Sequence, residues 1–428
     1  MIYISKPYIK NKDGKSYLIS NIKDEKRNIN EDLWFCVDEN YGQYLCDDLA
    51  DSFLLGLLPI AVKTEQDICV EGAVSQKLLY NIQNGLEPAY QKIFNQKGKV
   101  CITADEVKRV SYNTTAVATG CSLGVDSLSS IFLHLDDTKL VPGFKLTHLT
   151  LFNSGQLGDY DLEASEKNFL DTVQEIQPFA KKIGLPVLAV NGNLNFFYKE
   201  SGIIVLQSVE PRTIAFALAV QKLIKSYILA SAFPVDKIKF DTFDTAHQQA
   251  ALLPLMETES FSTYLADQYT TRVEKTAYII KKPYVPEVLK VCWAEQTAFE
   301  VWHNTSFLEE KTKVNCGWCD KCLRTLLAIE VLQNGDLHAY EKQFELKKYY
   351  EYRNAFIRKV FKQHKKNVFY EELLNLILDK KYKTLPAGVL ESYKAKCKIR
   401  EFLLFCKKVF GALIRPKRIV KKILKRQR

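Results

Sequence analysis

The stretch TTAVATGCSLGVDSLSSIFLHL (114–135) decides how this chain is read. Its first seven residues are β-branched or small and predict a strand, and SLSSIFLHL predicts a helix, so CSLGVD is a strand-to-helix turn. Such a turn gathers backbone N–H groups, the Ser122 and Ser127 hydroxyls and the positive end of a helix dipole at one spot, which suits an anion such as phosphate. Gly124 lets backbone approach a ligand with no Cβ in the way. Asp126 is placed to hold magnesium or to orient bound phosphates.

Downstream the alternation continues. THLTLFN (147–153) predicts a second strand ending in the loop SGQLGD. EKNFLDTVQEIQPFAKKIG (166–184) predicts an amphipathic helix stopped by Gly184, and LPVLAVN a third strand. Pro211 opens a helix predicted over RTIAFALAVQKLIKS, followed by two strand candidates, YILASAF and KIKFDTF. Strands alternating with helices predict an α/β fold with a doubly wound parallel sheet. Residues 1–112 mix strand-like runs with turns, among them WFCVDENYGQYL and the apolar block FLLGLLPIAV (53–62). DICVEGAVSQKLLYNI follows, turning at Gly72 into a helix near Ser75, and then KVCITADEVKRV. They are expected to form a β-rich accessory domain. Residues 113–335 are then the α/β domain and 336–428 a helical, basic extension.

The 428 residues are 47% apolar and 26% charged, which excludes a mostly disordered chain. No run approaches the ~18 apolar residues of a spanning helix, and the N-terminus lacks the apolar core of a signal peptide. The net charge of +10 is concentrated in residues 401–428, which hold ten Lys or Arg and one Glu. There FLLFCKKVFGALI and RPKRIVKKILKRQR interleave apolar and basic residues. Such a segment suits an anionic membrane surface, RNA, or docking on its own domain, and Pro416 interrupts its helical pattern. Eleven cysteines, an odd and clustered set, point away from a secreted disulfide framework and toward a reducing, cytoplasmic setting.

Cys316-Gly317-Trp318-Cys319-Asp320-Lys321-Cys322 is a CxxCxxC run. Three thiolates in seven residues predict a metal site, with Zn2+ the leading ion. A three-cysteine iron–sulfur cluster or free cysteines in a turn are the alternatives. The fourth zinc ligand is assigned to Cys292, at the end of a predicted strand, with His303 as the alternative.

TGCSLGVDS resembles the SGGxDS pyrophosphate loop of the N-type ATP pyrophosphatases, the PP-loop or adenine nucleotide α-hydrolase-like group. Ser122, Gly124, Asp126 and Ser127 match that pattern, whereas Leu123 stands where the family has its first glycine. The CxxCxxC run after such a loop resembles the layout of the 7-cyano-7-deazaguanine synthase family, whose zinc ligands Cys292, Cys316, Cys319 and Cys322 would match. The likeness covers roughly residues 113–333. It implies a HUP-like fold that binds ATP and Mg2+ and cleaves between the α- and β-phosphates, adenylating a small-molecule carboxylate or carbonyl oxygen for attack by a nitrogen or sulfur nucleophile. A tRNA-thiolation enzyme and a catalytically silent nucleotide-binding protein are the other readings.

Between the two motifs, Arg272 and Lys275 lie three apart on one predicted helical face and are candidates to hold the α-phosphate or leaving pyrophosphate. Asn153, Ser154 and Gly155 close the second strand, where open α/β sheets bind ligands, and are expected to contact adenosine. Asp241 and Asp244 are weaker candidates for magnesium or substrate. His134 and His247 are read as structural.

Overall fold

The computed structural model describes residues 1–135, 141–158, 160–292, 313–399, 401 and 404. His303 and the tail residues 402–403 and 405–428 lie outside them.

The strand predicted at 114–120 forms as β7 (Ala116–Gly120), and it lies inside a sheet of eleven strands. The others are β1 (Ile2–Ile4), β2 (Tyr8–Lys12), β3 (Lys15–Asp24), β4 (Ile29–Asp38), β5 (Ile68–Ser75), β6 (Ile102–Lys108), β8 (His148–Phe152), β9 (Val187–Gly192), β10 (Ile224–Ala230) and β11 (Ser262–Ala266). Ten run in the order β11-β10-β7-β8-β9-β4-β3-β1-β5-β6, with β2 beside β3. From β9 to β11 every pair is parallel. Counted from β7, those five strands lie in the order 3-2-1-4-5, so the winding reverses between β7 and β10. In open α/β sheets that reversal opens a crevice at the strands' carboxyl ends.

Both faces of this parallel part are covered, as buried strands on both sides require. Ala116, Ala118, Leu188 and Val190 point into one core with helices Asp51–Thr64 and Val209–Ala219. Val117, Leu149, Leu151 and Ile228 point into the other, with helices Val125–Leu133, Leu162–Ile183 and Asp320–Leu332. The N-terminal segment continues the same sheet: β4 pairs antiparallel with β9 through Phe35–Gly192 and Cys36–Asn191. Many of its buried apolar residues, from Ile2 to Ile102, belong to the first core, together with Leu188 and Val190 of β9 and Ile224 and Tyr227 of β10.

Several local expectations change. FLLGLLPIAV is neither strand nor turn but lies in helix Asp51–Thr64, with Pro59 inside it and every residue from Asp51 to Val62 buried. A helix buried on all sides has no polar stripe, so its periodicity is silent. Gly72 does not turn the chain. It sits within β5 at φ +129°, where the β5–β6 register shifts, and the helix starts at Gln76. The helix containing Pro211 ends at Ala219, and the KLIKS segment crosses a turn into β10. KIKFDTF is an irregular loop in which Ile238, Phe240 and Phe243 are exposed, and the fifth parallel strand is Ser262–Ala266 instead. Alternation alone misled there, because no partner surface buries the apolar set. Cys292 follows no strand. No helix among the described residues is long and apolar enough to cross a membrane.

Past 335, helices Leu346–Gln363 and Val368–Asp379 and the segment 389–399 join the second core. Buried Glu330 accepts from Arg353 Nε at 2.7 Å and from the Tyr382 hydroxyl at 2.8 Å, and also pairs with Tyr349. Removing either partner of such a buried pair costs about 3–5 kcal/mol.

Asp51, at the start of its helix, accepts from Ser75 N at 2.8 Å and Gln221 Nε2 at 3.2 Å. Burial outweighs these bonds and raises its pKa from 3.8 to about 6. The folded chain therefore holds this proton more tightly than the unfolded one, and stability is lost as pH rises through that window. The unfolding free energy of wild type should fall between pH 4 and 6, relative to Asp51→Asn, by about 2–3 kcal/mol. Urea titrations of both proteins across that range measure the difference.

Candidate functional site

The turn after β7 opens at the crevice between β7 and β10. Gly124 is the N-cap of helix Val125–Leu133, and Asp126 and Ser127 lie in its first turn. The Ser127 hydroxyl donates to Gly124 O at 3.2 Å and accepts from the Ser122 hydroxyl at 3.2 Å and Ser122 N at 3.4 Å, which closes the turn on itself. Leu123 adopts φ +57°, the left-handed conformation that a glycine takes without strain. Its side chain is buried in the second core rather than in the mouth of the turn, and its carbonyl accepts from Lys290 N at 3.0 Å. The backbone thus keeps a glycine-like shape, and the leucine anchors it from below.

Helix Arg272–Ile279 brings two cations to this turn. Thr271 and Glu274 form a reciprocal capping box that fixes its start. Three residues apart on one face, Arg272 pairs with Asp126 through both nitrogens, Nε at 3.3 Å, and Lys275 Nζ lies 3.6 Å from Asp126 Oδ1. Lys275 is 2% exposed and donates to Ser231 O at 2.6 Å and Ser231 Oγ at 2.8 Å, at the end of β10. Burial alone would raise the Asp126 pKa, but Arg272 and Lys275 outweigh it and hold the carboxyl below its ordinary value. Burial moves Lys275 the other way, below the usual lysine range.

Two further cations come from helix Asp320–Leu332. The Arg324 guanidinium lies 4.2 Å from the Phe369 ring centroid, and Arg272 lies 4.4 Å from the same ring. Burial, with Arg272 adding repulsion, lowers the Arg324 pKa to about 10. Burial likewise pushes Lys321 well down, reinforced by Arg324 and Arg272. From the C-terminal region, Glu372 accepts from Arg272 N at 2.9 Å. Lys321, Arg324, Phe369 and Glu372 were not singled out in the sequence. Only the positions of Lys321 and Arg324 beside the cysteine run hinted at them.

The cysteine run forms the second half of the site. Cys292, Cys316, Cys319 and Cys322 converge with all four Sγ atoms within 4.8 Å of one another, the Cys316 and Cys322 sulfurs 3.9 Å apart. A tetrahedral ion with Zn–S bonds of ~2.3 Å needs sulfurs ~3.8 Å apart, so the donor set fits one such ion. An iron–sulfur cluster would have to sit between sulfurs held this close. Cys319 N and Cys322 N donate to the Cys316 and Cys319 sulfurs at 3.3 and 3.4 Å. Thiols of the other three cysteines lower the Cys292 pKa, and burial raises that of Cys322. Gly317, at φ +82°, passes so close to Glu345 that a Cβ would lie 2.3 Å from its carbonyl oxygen.

Asn315 delivers the distant fourth cysteine. Fully buried, it accepts from Val291 N at 2.8 Å and Cys292 N at 3.0 Å through Oδ1. Its Nδ2 donates to Leu289 O at 2.8 Å and Gln343 O at 3.1 Å. A single asparagine before a cysteine gives no sequence signal of this role.

Asn153 and Ser154 follow β8, the parallel neighbour of β7, at the same edge of the sheet as the turn. Asn153 and Ser154 are each 3% exposed. Asn153 bonds Asn191 and Ser165 at 2.9 and 2.6 Å, and Ser154 bonds Thr213 at 3.4 Å, so their side chains tie loops together. Gly155, at φ +101°, leaves room that buried Arg212 occupies. Asp241 pairs with Lys239 at 2.8 Å and accepts from Phe243 N and Asp244 N, while Asp244 accepts from Ala246 N at 3.1 Å. Both aspartates shape the exposed loop. His134 bonds Ser130 O at 2.8 Å, and His247 stacks on Phe233 with centroids 3.7 Å apart.

No family model, no curated protein and no solved structure matches this chain.

Asn315→Ala should release the 289–292 segment. Removing its four bonds leaves buried groups unsatisfied at about 1–3 kcal/mol each. Bound metal, measured by atomic absorption after dialysis, should fall well below that of the wild type, and Gly317→Ala should do the same. Leu123→Gly should relieve about 1 kcal/mol of backbone strain but lose about 2–5 kcal/mol of burial, a net destabilisation seen as a lower denaturant midpoint.

Proposed function

We propose that this chain is an ATP-dependent enzyme of the PP-loop type with a HUP-like α/β domain, binding the polyphosphate of MgATP at the turn Ser122–Ser127. The observation that carries the reading is the placement of that turn at the β7/β10 reversal, with Asp126 set between Arg272 and Lys275. Arg272 and Lys275 meet at Asp126 in the first turn of the helix, and the Ser122 and Ser127 hydroxyls, which bond each other and Gly124 O here, would exchange those bonds for phosphate oxygens on binding. The buried position of the Leu123 side chain supports it too, because the mouth of the turn stays clear.

In the reaction, an oxygen of a substrate carboxylate or carbonyl attacks the α-phosphorus. The bond to the β-phosphate oxygen breaks, pyrophosphate leaves, and the substrate carries AMP. A nitrogen or sulfur nucleophile then displaces AMP. Arg272 and Lys275 stabilise charge that builds on the departing pyrophosphate, and the turn holds the phosphates in line. Asp126 is the residue that would hold Mg2+, which supplies charge shielding along the phosphates. The four cysteines would hold Zn2+ as a structural ion. The spacing of their sulfurs favours one ion over a cluster, and with it the adenylating reading over iron–sulfur thiolation.

Pyrophosphate and orthophosphate release are measured from ATP over a panel of carboxylic acids and amides. Pyrophosphate should appear, and Asp126→Asn should reduce it by about 100-fold or more. Orthophosphate in its place, or an unaffected variant, overturns the proposal.

A further inference from the structure

We infer that Arg324, with Lys321 beside it, completes the pyrophosphate-binding surface, and that the cysteine knuckle sets the anion affinity of the turn after β7 by fixing the helix that carries them. This rests on the reading of that turn as a phosphate site.

Arg272 and Arg324 lie against one ring, Phe369, at 4.4 and 4.2 Å. Like charges gathered in a desolvated place repel unless an anion sits between them. Asp320 and Asp126 are the acids that offset the Arg324 charge, and each is also held by other partners. Asp126 is engaged by Arg272 and Lys275, Asp320 by Lys359 at 3.1 Å and by Tyr370, and Glu372 Oε2 by the backbone N–H of Arg272, while Glu372 Oε1 has no hydrogen-bond partner among the described residues. Among the described residues, Arg324 Nε is buried with no hydrogen-bond partner, and a small cavity lies between Arg272, Arg324, Thr325, Phe369 and Glu372, which holds two guanidinium groups against one carboxylate. A buried guanidinium donor without an acceptor is destabilising, and a phosphate oxygen would offset that cost.

The knuckle controls where these cations stand. Cys319 is the N-cap of helix Asp320–Leu332, and Cys322 lies in its first turn. Lys321 precedes Cys322 and Arg324 follows two residues later, so an ion that clamps the cysteines fixes the stem of each side chain. Binding of an ion and of an anion are then linked, and each must strengthen the other by the same factor.

The test titrates inorganic pyrophosphate calorimetrically into the full chain loaded with zinc. Wild type should bind, and Arg324→Gln should bind about 10- to 100-fold more weakly. Lys347→Gln, on an exposed part of helix Leu346–Gln363, should leave affinity unchanged. Pyrophosphate should also slow transfer of zinc to a colorimetric chelator in wild type but not in Arg324→Gln. If Arg324→Gln proves unfolded, Lys321→Gln provides the same comparison. Equal affinity in a folded variant, or no binding by wild type, overturns the inference. Pyrophosphate binding without ATP cleavage sustains it while removing the enzymatic reading. ATP cleavage that is indifferent to Arg324→Gln, with unaltered pyrophosphate affinity, does the reverse.

Discussion

One carboxylate, Asp126, stands against Arg272 and Lys275, with Lys321 and Arg324 close behind them. Four cations converging on so few acids is an unstable arrangement in a desolvated setting, and the fold works to keep it. The β7/β10 reversal supplies the turn, a capped helix supplies Arg272 and Lys275, and the helix behind the cysteines supplies Arg324. Phe369 and Glu372, from the C-terminal helices, close the far wall. Each element is ordinary by itself. What they hold in common is a concentration of positive charge around Asp126.

The same logic explains why the cysteine knuckle lies where it does. Its ligands come from two segments distant in sequence, and Asn315, next to Cys316, bonds the backbone of the other at Leu289, Val291 and Cys292, and Gln343 besides. A side chain that satisfies four backbone groups at once adds to the single bridge that the Asn315 backbone makes with Phe344. The helix that begins at Cys319 then packs its apolar side into the second core and turns Arg324 toward the turn after β7. The cysteine cluster and Arg324 therefore share one short piece of backbone.

Much of the parallel sheet was legible in the sequence. β7, β8, β9 and helix Leu162–Ile183 each carry a pattern that local physics reads well: β-branched runs, an amphipathic stripe and a glycine stop. The turn residues Ser122, Gly124, Asp126 and Ser127 and the pair Arg272 and Lys275 were legible because their spacing is local. Helix Asp51–Thr64 was not, since burial on every side erases its periodicity. KIKFDTF misled for the opposite reason, having alternation with nothing to pack against. The roles of Asn315, Arg324, Phe369 and Glu372 depend on contacts between distant segments, which no local pattern records. The continuation of the N-terminal strands into the parallel sheet depends on two residue pairs between β4 and β9, and nothing in either strand announces them.

That seam has a consequence for synthesis. A nascent chain that has emerged through β6 holds β4 as an open border, its Phe35 and Cys36 awaiting Gly192 and Asn191. Unsatisfied strand borders invite pairing with neighbouring chains. Until translation passes β9, this protein is exposed to self-association on the ribosome, and its need for a holding chaperone should be greatest in that interval.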